Sequence, residues 1–468
     1  MNPVNRTLHS YLTEYASRDP DRKLLGGRAG WLTAAQVLDK VEMLSEQLRQ
    51  QGICRGAYVA LRAYRSVDTA IRILALQALG AVAVLTDPRY TPADFLKRSG
   101  ISIPVCAWMD GDSLQIVFRP ESDPRSPDAR EPGFVIFTSG STGKPKAVML
   151  SQYNLVNNLI DSRPLGYYCD DDIALGALPL DHVFGLVLLA GVCVLGYGIC
   201  FPEKTTVSAL LSCIEKERIT RMNGVPSLYL AMAEQADHYD LSSLRAGFIG
   251  GGPYTPEQLR RIEAALGMVL IPVYGMSECI GIACGDWKDP QSIRARGVGR
   301  IYSMNTCRIS LPDGSEAPAG ETGEIRVTGP ARMVGYYPDR IPEEELLPTG
   351  DLGYLDEAGF LHITGRKKDI IIRNGVNLSP QPIEAALLSI PGVRAACVVG
   401  MPHSLQGETP WALVVGSRTA KELFALLPGL LPKNQIPAEI CVAEQMPMTS
   451  SGKPDKTAVR EVLQAWIL

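Results

Sequence analysis

The sequence predicts a mixed α/β fold in two parts: a large N-terminal domain of layered sheets and helices, residues 1–366, and a small α+β C-terminal domain, residues 367–468. Three observations carry this reading. Helix-periodic and strand-like runs alternate early in the chain. The texture changes to short strands and turns from about residue 354. The chain's 468 residues, 46% of them hydrophobic, can build a sizeable core and exceed one compact lobe.

Residues 33–51 (TAAQVLDKVEMLSEQLRQQ) space their apolar side chains at helical intervals behind Thr33, a natural N-cap. A strand-like run follows at 57–61, a second helix at 67–79 (VDTAIRILALQAL) and a second strand at 81–85. This order indicates βαβ units and a parallel sheet. The polar, proline-rich segment PESDPRSPDAREP at 120–132 reads as a connector. Beyond 354, YLDEAGFLHITGRKKDIIIRNG reads as strands joined by turns, then helix-like 380–390 and strand-like 394–399 and 412–415. The boundary between the two parts falls at the GRKKD turn, residues 365–369.

Composition excludes several classes. Forty-six Lys and Arg against 50 Asp and Glu leave a net charge of -4, which provides no general field for nucleic acid or acidic membranes. The 11 cysteines contain no CxxC pair and read as reduced thiols of a cytoplasmic protein. The N-terminus lacks the apolar core of a secretion signal. Val183 to Phe201 (VFGLVLLAGVCVLGYGICF) runs nineteen residues without a charge, close to the length that spans a membrane. Its four glycines, with Asp181 and Glu203 flanking closely, favour a buried helix followed by a strand.

The sharpest local signal is FVIFTSGSTGKPKAVMLS, residues 134–151. An apolar strand runs into Thr138, Ser139, Gly140, Ser141, Thr142 and Gly143, with Lys144 and Lys146 close behind. Glycines and small hydroxyl residues let backbone and side-chain donors approach a polyanion, and the lysines add charge. TSG alone fits any surface loop; the complete TSGSTGKPK is the specific signal. It is not a Walker loop: Thr138 stands where the first glycine is needed and Pro145 where Ser or Thr must follow the lysine.

TSGSTGKPK resembles the phosphate-loop signature of the adenylate-forming superfamily, which includes acyl-CoA synthetases, luciferases and the adenylation domains of nonribosomal peptide synthetases. Further stretches resemble that family's motifs in order: GGGPYTPE (250–257), YGMSE (274–278), TGD (349–351), GRKKDIIIRNGVNLSPQPIE (365–384) and TSSGKPDK (449–456). The resemblance covers roughly residues 20 to 460. PLDHVFG and NGVPSLY bring it nearest to stand-alone acyl- or aryl-CoA ligases.

The resemblance implies a role for each motif residue. Thr138 to Gly143 and Lys146 would cradle phosphates, Gly251, Gly252 and Pro253 would lie on the adenine side, and Tyr274, Gly275 and Met276 would belong to the same ATP/AMP site. Ser277 stands where threonine is usual and keeps a hydroxyl for the α-phosphate. Glu278, otherwise a solvated loop acid, would hold magnesium against triphosphate oxygens, a task for carboxylate oxygen. Asp351 would accept both ribose hydroxyls, and Arg366 would contact ribose and phosphate. Lys453, an ordinary loop lysine without this context, would bridge the acyl carboxylate and the ribose-phosphate. Lys368 would be the hinge about which a mobile C-terminal lid swings, exchanging Lys453 for the region of Gly375, which would line a pantetheine tunnel. His182 would gate an acyl pocket shared with Phe184, Asn223 and Gly250; a histidine beside an apolar run is otherwise commonly a packed residue.

The reaction implied is activation of a small-molecule carboxylic acid by ATP and Mg2+ to acyl-AMP, with pyrophosphate released, then transfer to the thiol of CoA. The alternative acceptor is the phosphopantetheine of an acyl carrier protein, for which Leu426, Leu427, Leu430 and Leu431 near Lys433 could form a docking patch. Packing in the small domain's core is the expected role of those leucines. A catalytically silent binding protein is a third reading, opposed by the retention of Glu278, Asp351, Arg366 and Lys453.

Overall fold

The structure, a computed structural model, describes residues 2–111, 113–121, 123, 125–138, 145–169, 171–449 and 454–467. Among these residues the chain forms four sheets. In the first, the parallel strands Tyr58–Arg62, Val82–Thr86, Val105–Asp110 and Pro132–Thr138 are joined on one edge by the antiparallel strand Lys146–Ser151. The second, nine-stranded, sheet runs from Gly30–Thr33 through Gly198–Cys200 and Ala246–Ile249 to Val269–Met276 and Cys279–Cys284. The predicted helix at 67–79 is Val67–Leu79, capped by Ser66, and that at 33–51 is Ala34–Gln50, with Thr33 and Gln36 forming a capping box.

Period-two alternation explains how the layers stack. Val59 and Leu61, Ala83 and Leu85, and Phe134 and Ile136 face one cluster; Ala60, Val82, Val84 and Val135 face another. The first cluster also takes in Leu25 and Ile199 of the nine-stranded sheet and the inner faces of helices Leu8–Arg18, Ala34–Gln50, Val67–Leu79, Gln152–Ser162 and Val183–Val194. These five helices therefore fill the space between the two sheets. Strands buried on both faces need apolar residues throughout, which is why they read as continuous hydrophobic runs.

This sandwich also accounts for the uncharged stretch at 183–201. It is a twelve-residue helix, Val183–Val194, turning into the strand Gly198–Cys200. Among the described residues no helix is long and apolar enough to cross a membrane.

The third sheet, Thr306–Ser310, Gly323–Thr328, Leu347–Leu355 and Leu361–Arg366, ends where the turn Lys367–Asp369 begins. The fourth starts at Ile371 and closes the chain, with apolar clusters on both faces: Ala396 and Val398 of Val393–His403 pack on one side, Cys397, Val399 and Met401 on the other. The four leucines expected in this core divide. Leu427 and Leu431 are buried in it, whereas Leu426 and Leu430 are 45% and 49% exposed. Residues 427–429 form a separate 3-10 turn after helix Ala420–Leu426, so 427 and 431 share the inward side and their neighbours turn out.

Tyr229 ties together two central strands of the second sheet. Its ring is fully buried, and its hydroxyl lies 2.9 Å from the carbonyl of Met222 and 3.1 Å from that of Phe248, on adjacent parallel strands. The Phe248 carbonyl also accepts from the Gly224 amide at 3.0 Å, so removing the hydroxyl takes one donor from each carbonyl and leaves Phe248 partly satisfied, at a cost of about 1–3 kcal/mol. Tyr229→Phe should lower the melting temperature by roughly 1–4 °C in a thermal unfolding scan; an unchanged transition would mean that this hydroxyl contributes nothing.

Candidate active site

The phosphate-loop motif is a β-hairpin. Strands Pro132–Thr138 and Lys146–Ser151 pair antiparallel, with Thr138 opposite Lys146 at the mouth of the loop. Ser139, Gly140, Ser141, Thr142 and Gly143 lie outside the described residues, as does Lys453. The Lys146 ammonium sits 4.6 Å from the ring centroid of Tyr336.

Tyr274 to Glu278 form the end of strand Val269–Met276 and the turn into Cys279–Cys284, where Met276 pairs with Cys279 around Ser277 and Glu278. Gly275 is required there, since a Cβ would overlap the carbonyl of Ile280 on the returning strand. Glu278 is only 9% exposed because the segment 331–336 folds across it. The Met333 amide donates to the Glu278 carbonyl at 2.8 Å, and the Tyr336 hydroxyl donates to its Oε1 at 2.8 Å. Among the described residues no cationic side chain lies within ion-pair distance of this carboxylate.

Asp351 is 4% exposed and lies opposite Arg366 on neighbouring strands of the third sheet. Arg366 Nε donates to Oδ1 at 2.8 Å, and the Tyr274 hydroxyl donates to Oδ2 at 2.7 Å. Burial first, and then the Asp351 carboxylate, hold the Tyr274 hydroxyl well above the usual tyrosine range. It stays protonated and donates throughout the physiological range. Each carboxylate oxygen has lone-pair capacity for a second donor, so two ribose hydroxyls could still be accepted.

The turn at 250–253 follows strand Ala246–Ile249 and packs against the strand that carries Tyr274: a Cβ on Gly250 would stand 2.6 Å from the Val273 carbonyl. Gly251 takes a left-handed φ of 79°, and Gly252 abuts Pro226 while Pro253 is exposed. Asn223 accepts from the Phe248 amide at 3.2 Å. Phe248 and Tyr302 belong to an apolar cluster against which Phe184, Tyr168, Val273 and Trp287 pack. His182 stands at the N-terminus of helix Val183–Val194 without capping it, near the carboxylates of Asp87 and Asp181.

The structure thus brings Tyr274, Asp351 and Arg366 into one hydrogen-bonded group and Lys146 and Glu278 into another, bridged by Tyr336. It places Lys368 in the turn Lys367–Asp369, whose first residue pairs with Glu324 of the third sheet at 3.2 Å and whose last pairs with Lys456 of helix Lys456–Ile467 at 2.8 Å. At Gly375, φ is 76° beside 51° at Asn374, an Asn-Gly turn between strands Ile371–Arg373 and Val376–Leu378. That turn accounts for the glycine locally, and a Cβ there meets nothing within 4 Å. Sequence reasoning missed Tyr336. VGYYPDR has no chemical signature, and its partner Glu278 is 58 residues away.

With this geometry stand the comparisons. The description "AMP-binding enzyme" matches residues 12–107 and 101–337, and "AMP-binding enzyme C-terminal domain" matches residues 382–453. The chain belongs to the AMP-binding enzyme family. It is similar over 98% of its length, at 30% identity, to 2-succinylbenzoate–CoA ligases from Bacillus cereus (strain ATCC 10987 / NRS 248) and Bacillus anthracis (strain A0248), covering 99% of each. Among solved structures, it resembles o-succinylbenzoate coenzyme A synthetase from Bacillus subtilis in complex with ATP and magnesium ion, at 26% identity, TM-score 0.84, and 98% and 100% coverage. The amide bond synthetase McbA from Marinactinospora thermotolerans matches at 27% identity and TM-score 0.83, covering 97% of this chain and 99% of that one. The expected mixed α/β fold, family and acyl-adenylate-forming ligase class all stand.

For an AMP-binding enzyme the buried Asp351 cradle gives a direct binding prediction. Asp351→Asn should weaken AMP binding roughly 10–100-fold by calorimetry, the worth of one or two charge-assisted hydrogen bonds. Binding of a 2′,3′-dideoxy nucleotide should change much less. Equal losses for both nucleotides would place the ribose elsewhere.

Proposed function

We propose that this AMP-binding enzyme activates 2-succinylbenzoate, or an aryl keto acid close to it, as the acyl-adenylate and passes the acyl group to free CoA. The observation that carries the chemistry is the shared carboxylate of Asp351, presented with Tyr274 and Arg366 where a ribose can bind. The acid follows from the full-length similarity to 2-succinylbenzoate–CoA ligases and from the aromatic cluster around Phe184, Phe248 and Tyr302, which suits an aryl group.

In the first step a carboxylate oxygen of the acid attacks the α-phosphorus of ATP, forming a new P–O bond as the bond to pyrophosphate breaks. Asp351 fixes the ribose, and the phosphate hairpin with Lys146 receives the triphosphate. Lys453 offsets charge as two anions meet. Glu278 fits a hard divalent cation: it is buried, its one side-chain partner is a neutral hydroxyl, and among the described residues no cation neutralises it. Magnesium bound there with triphosphate oxygens would supply charge neutralisation on the leaving pyrophosphate. In the second step the CoA thiolate attacks the acyl carbon and AMP leaves.

The two steps need different groups at one place, and the turn Lys367–Asp369 is the proposed hinge between domains 1–366 and 367–468. Its ends are ion-paired to opposite domains, Lys367 to Glu324 and Asp369 to Lys456, with Lys368 exposed between them. Gly375, His182, Asn223 and Gly250 keep the thiol-tunnel, gate and acyl-pocket roles the family suggests. The free thiols of all 11 cysteines favour the cytoplasm.

An assay of purified protein with ATP, a panel of carboxylic acids and either CoA or phosphopantetheinylated carrier protein tests the reading. CoA thioester formation from 2-succinylbenzoate is expected; acylation of carrier alone, through the exposed Leu426 and Leu430, would replace CoA as the acceptor. Lys453→Ala should slow pyrophosphate exchange by about a thousandfold, the scale of losing one preorganised charge contact. Thioester formation from supplied acyl-AMP should change little. Equal loss in both half-reactions would remove Lys453 from the first step.

A further inference from the structure

We propose that Tyr336 is a positioning residue for the metal-binding carboxylate: its hydroxyl fixes Oε1 of Glu278 and leaves Oε2 for the cation. This rests on Glu278 being the metal ligand. The observations come from three directions. The hydroxyl donates to Oε1 at 2.8 Å, while the Met333 amide, three residues earlier, holds the Glu278 carbonyl at 2.8 Å, so one segment fixes both ends of the residue. The strand Gly335–Tyr336 is paired with Met149 and Val148, which ties Tyr336 in register to the phosphate hairpin. Lys146, at the mouth of that hairpin, holds its ammonium 4.6 Å from the centroid of the same ring.

The chemistry explains why a phenol stands here. An arginine or lysine would orient Glu278 equally well but would neutralise it and compete with the cation. A neutral donor orients the carboxylate and leaves its charge for the metal. Ligating carboxylates are commonly oriented by such outer partners, whose loss costs 10–100-fold in metal affinity.

Tyr336→Phe in the full-length protein is the test, with Mn2+ as the probe and the non-reacting α,β-methylene analogue of ATP present. Free Mn2+ is read by electron paramagnetic resonance. The dissociation constant for Mn2+ should rise about tenfold, and the Mg2+ needed for half-maximal pyrophosphate exchange should rise with it, while the KM for the acid stays put. Tyr337→Phe, whose ring packs edge-on against Tyr58 with centroids 5.6 Å apart, should change none of these. Unchanged Mn2+ affinity in Tyr336→Phe, with or without a fall in melting temperature, would overturn the inference. Glu278→Gln, measured alongside, separates the two readings. If it binds Mn2+ like the parent protein, Glu278 is not the ligand; if it loses Mn2+ while Tyr336→Phe keeps it, only the positioning role fails.

Discussion

The carboxylate of Asp351 is the constraint around which the site is arranged. A buried anion costs several kcal/mol unless charge and hydrogen bonds compensate it. Here the compensation comes from separate parts of the chain: Tyr274 from the end of an inner strand of the nine-stranded sheet, and Arg366 from the last residue before the turn Lys367–Asp369. Satisfying one carboxylate therefore sets the nine-stranded sheet against the third sheet. A nucleotide whose ribose binds this group has its α-phosphorus placed by the protein, so the bond that breaks is decided by position.

Glu278 shows the opposite solution for a second buried carboxylate. Asp351 has a guanidinium beside it, and among the described residues Glu278 has only the hydroxyl of Tyr336 and backbone contacts. The first is nearly complete as it stands and can share its remaining lone pairs with neutral hydroxyls. The second keeps an uncompensated charge, which suits a cation arriving with the triphosphate. Two acids of similar burial are thus given different surroundings by their neighbours alone.

Much of the fold was legible because its signals are local. The helix Val67–Leu79 shows its period and cap within thirteen residues, and the strand running into TSGSTGKPK announces the hairpin mouth at Thr138 and Lys146. The charge-free stretch at 183–201 was readable as helix then strand because its glycines and flanking acids are close in sequence. What stayed hidden depends on distance along the chain. Tyr336 acquires meaning only when strand Gly335–Tyr336 is laid beside Lys146–Ser151, and no pattern in VGYYPDR encodes that pairing. The leucines at 426–431 were read as one group, yet a break from helix to 3-10 turn sends alternate members inward and outward. Gly375, assigned to a tunnel by resemblance, has a sufficient local cause in its Asn-Gly turn.

A reaction directed at the α-phosphorus leaves a mark on its product. Incubating the enzyme with ATP, CoA and 2-succinylbenzoate labelled with oxygen-18 in both carboxyl groups, then examining the nucleotide by phosphorus NMR or mass spectrometry, reads that mark directly. AMP carrying one labelled oxygen, with unlabelled pyrophosphate, is the predicted result. Formation of ADP with the label in inorganic phosphate, or of unlabelled AMP, would contradict direct attack of the acid on a nucleotide anchored at Asp351.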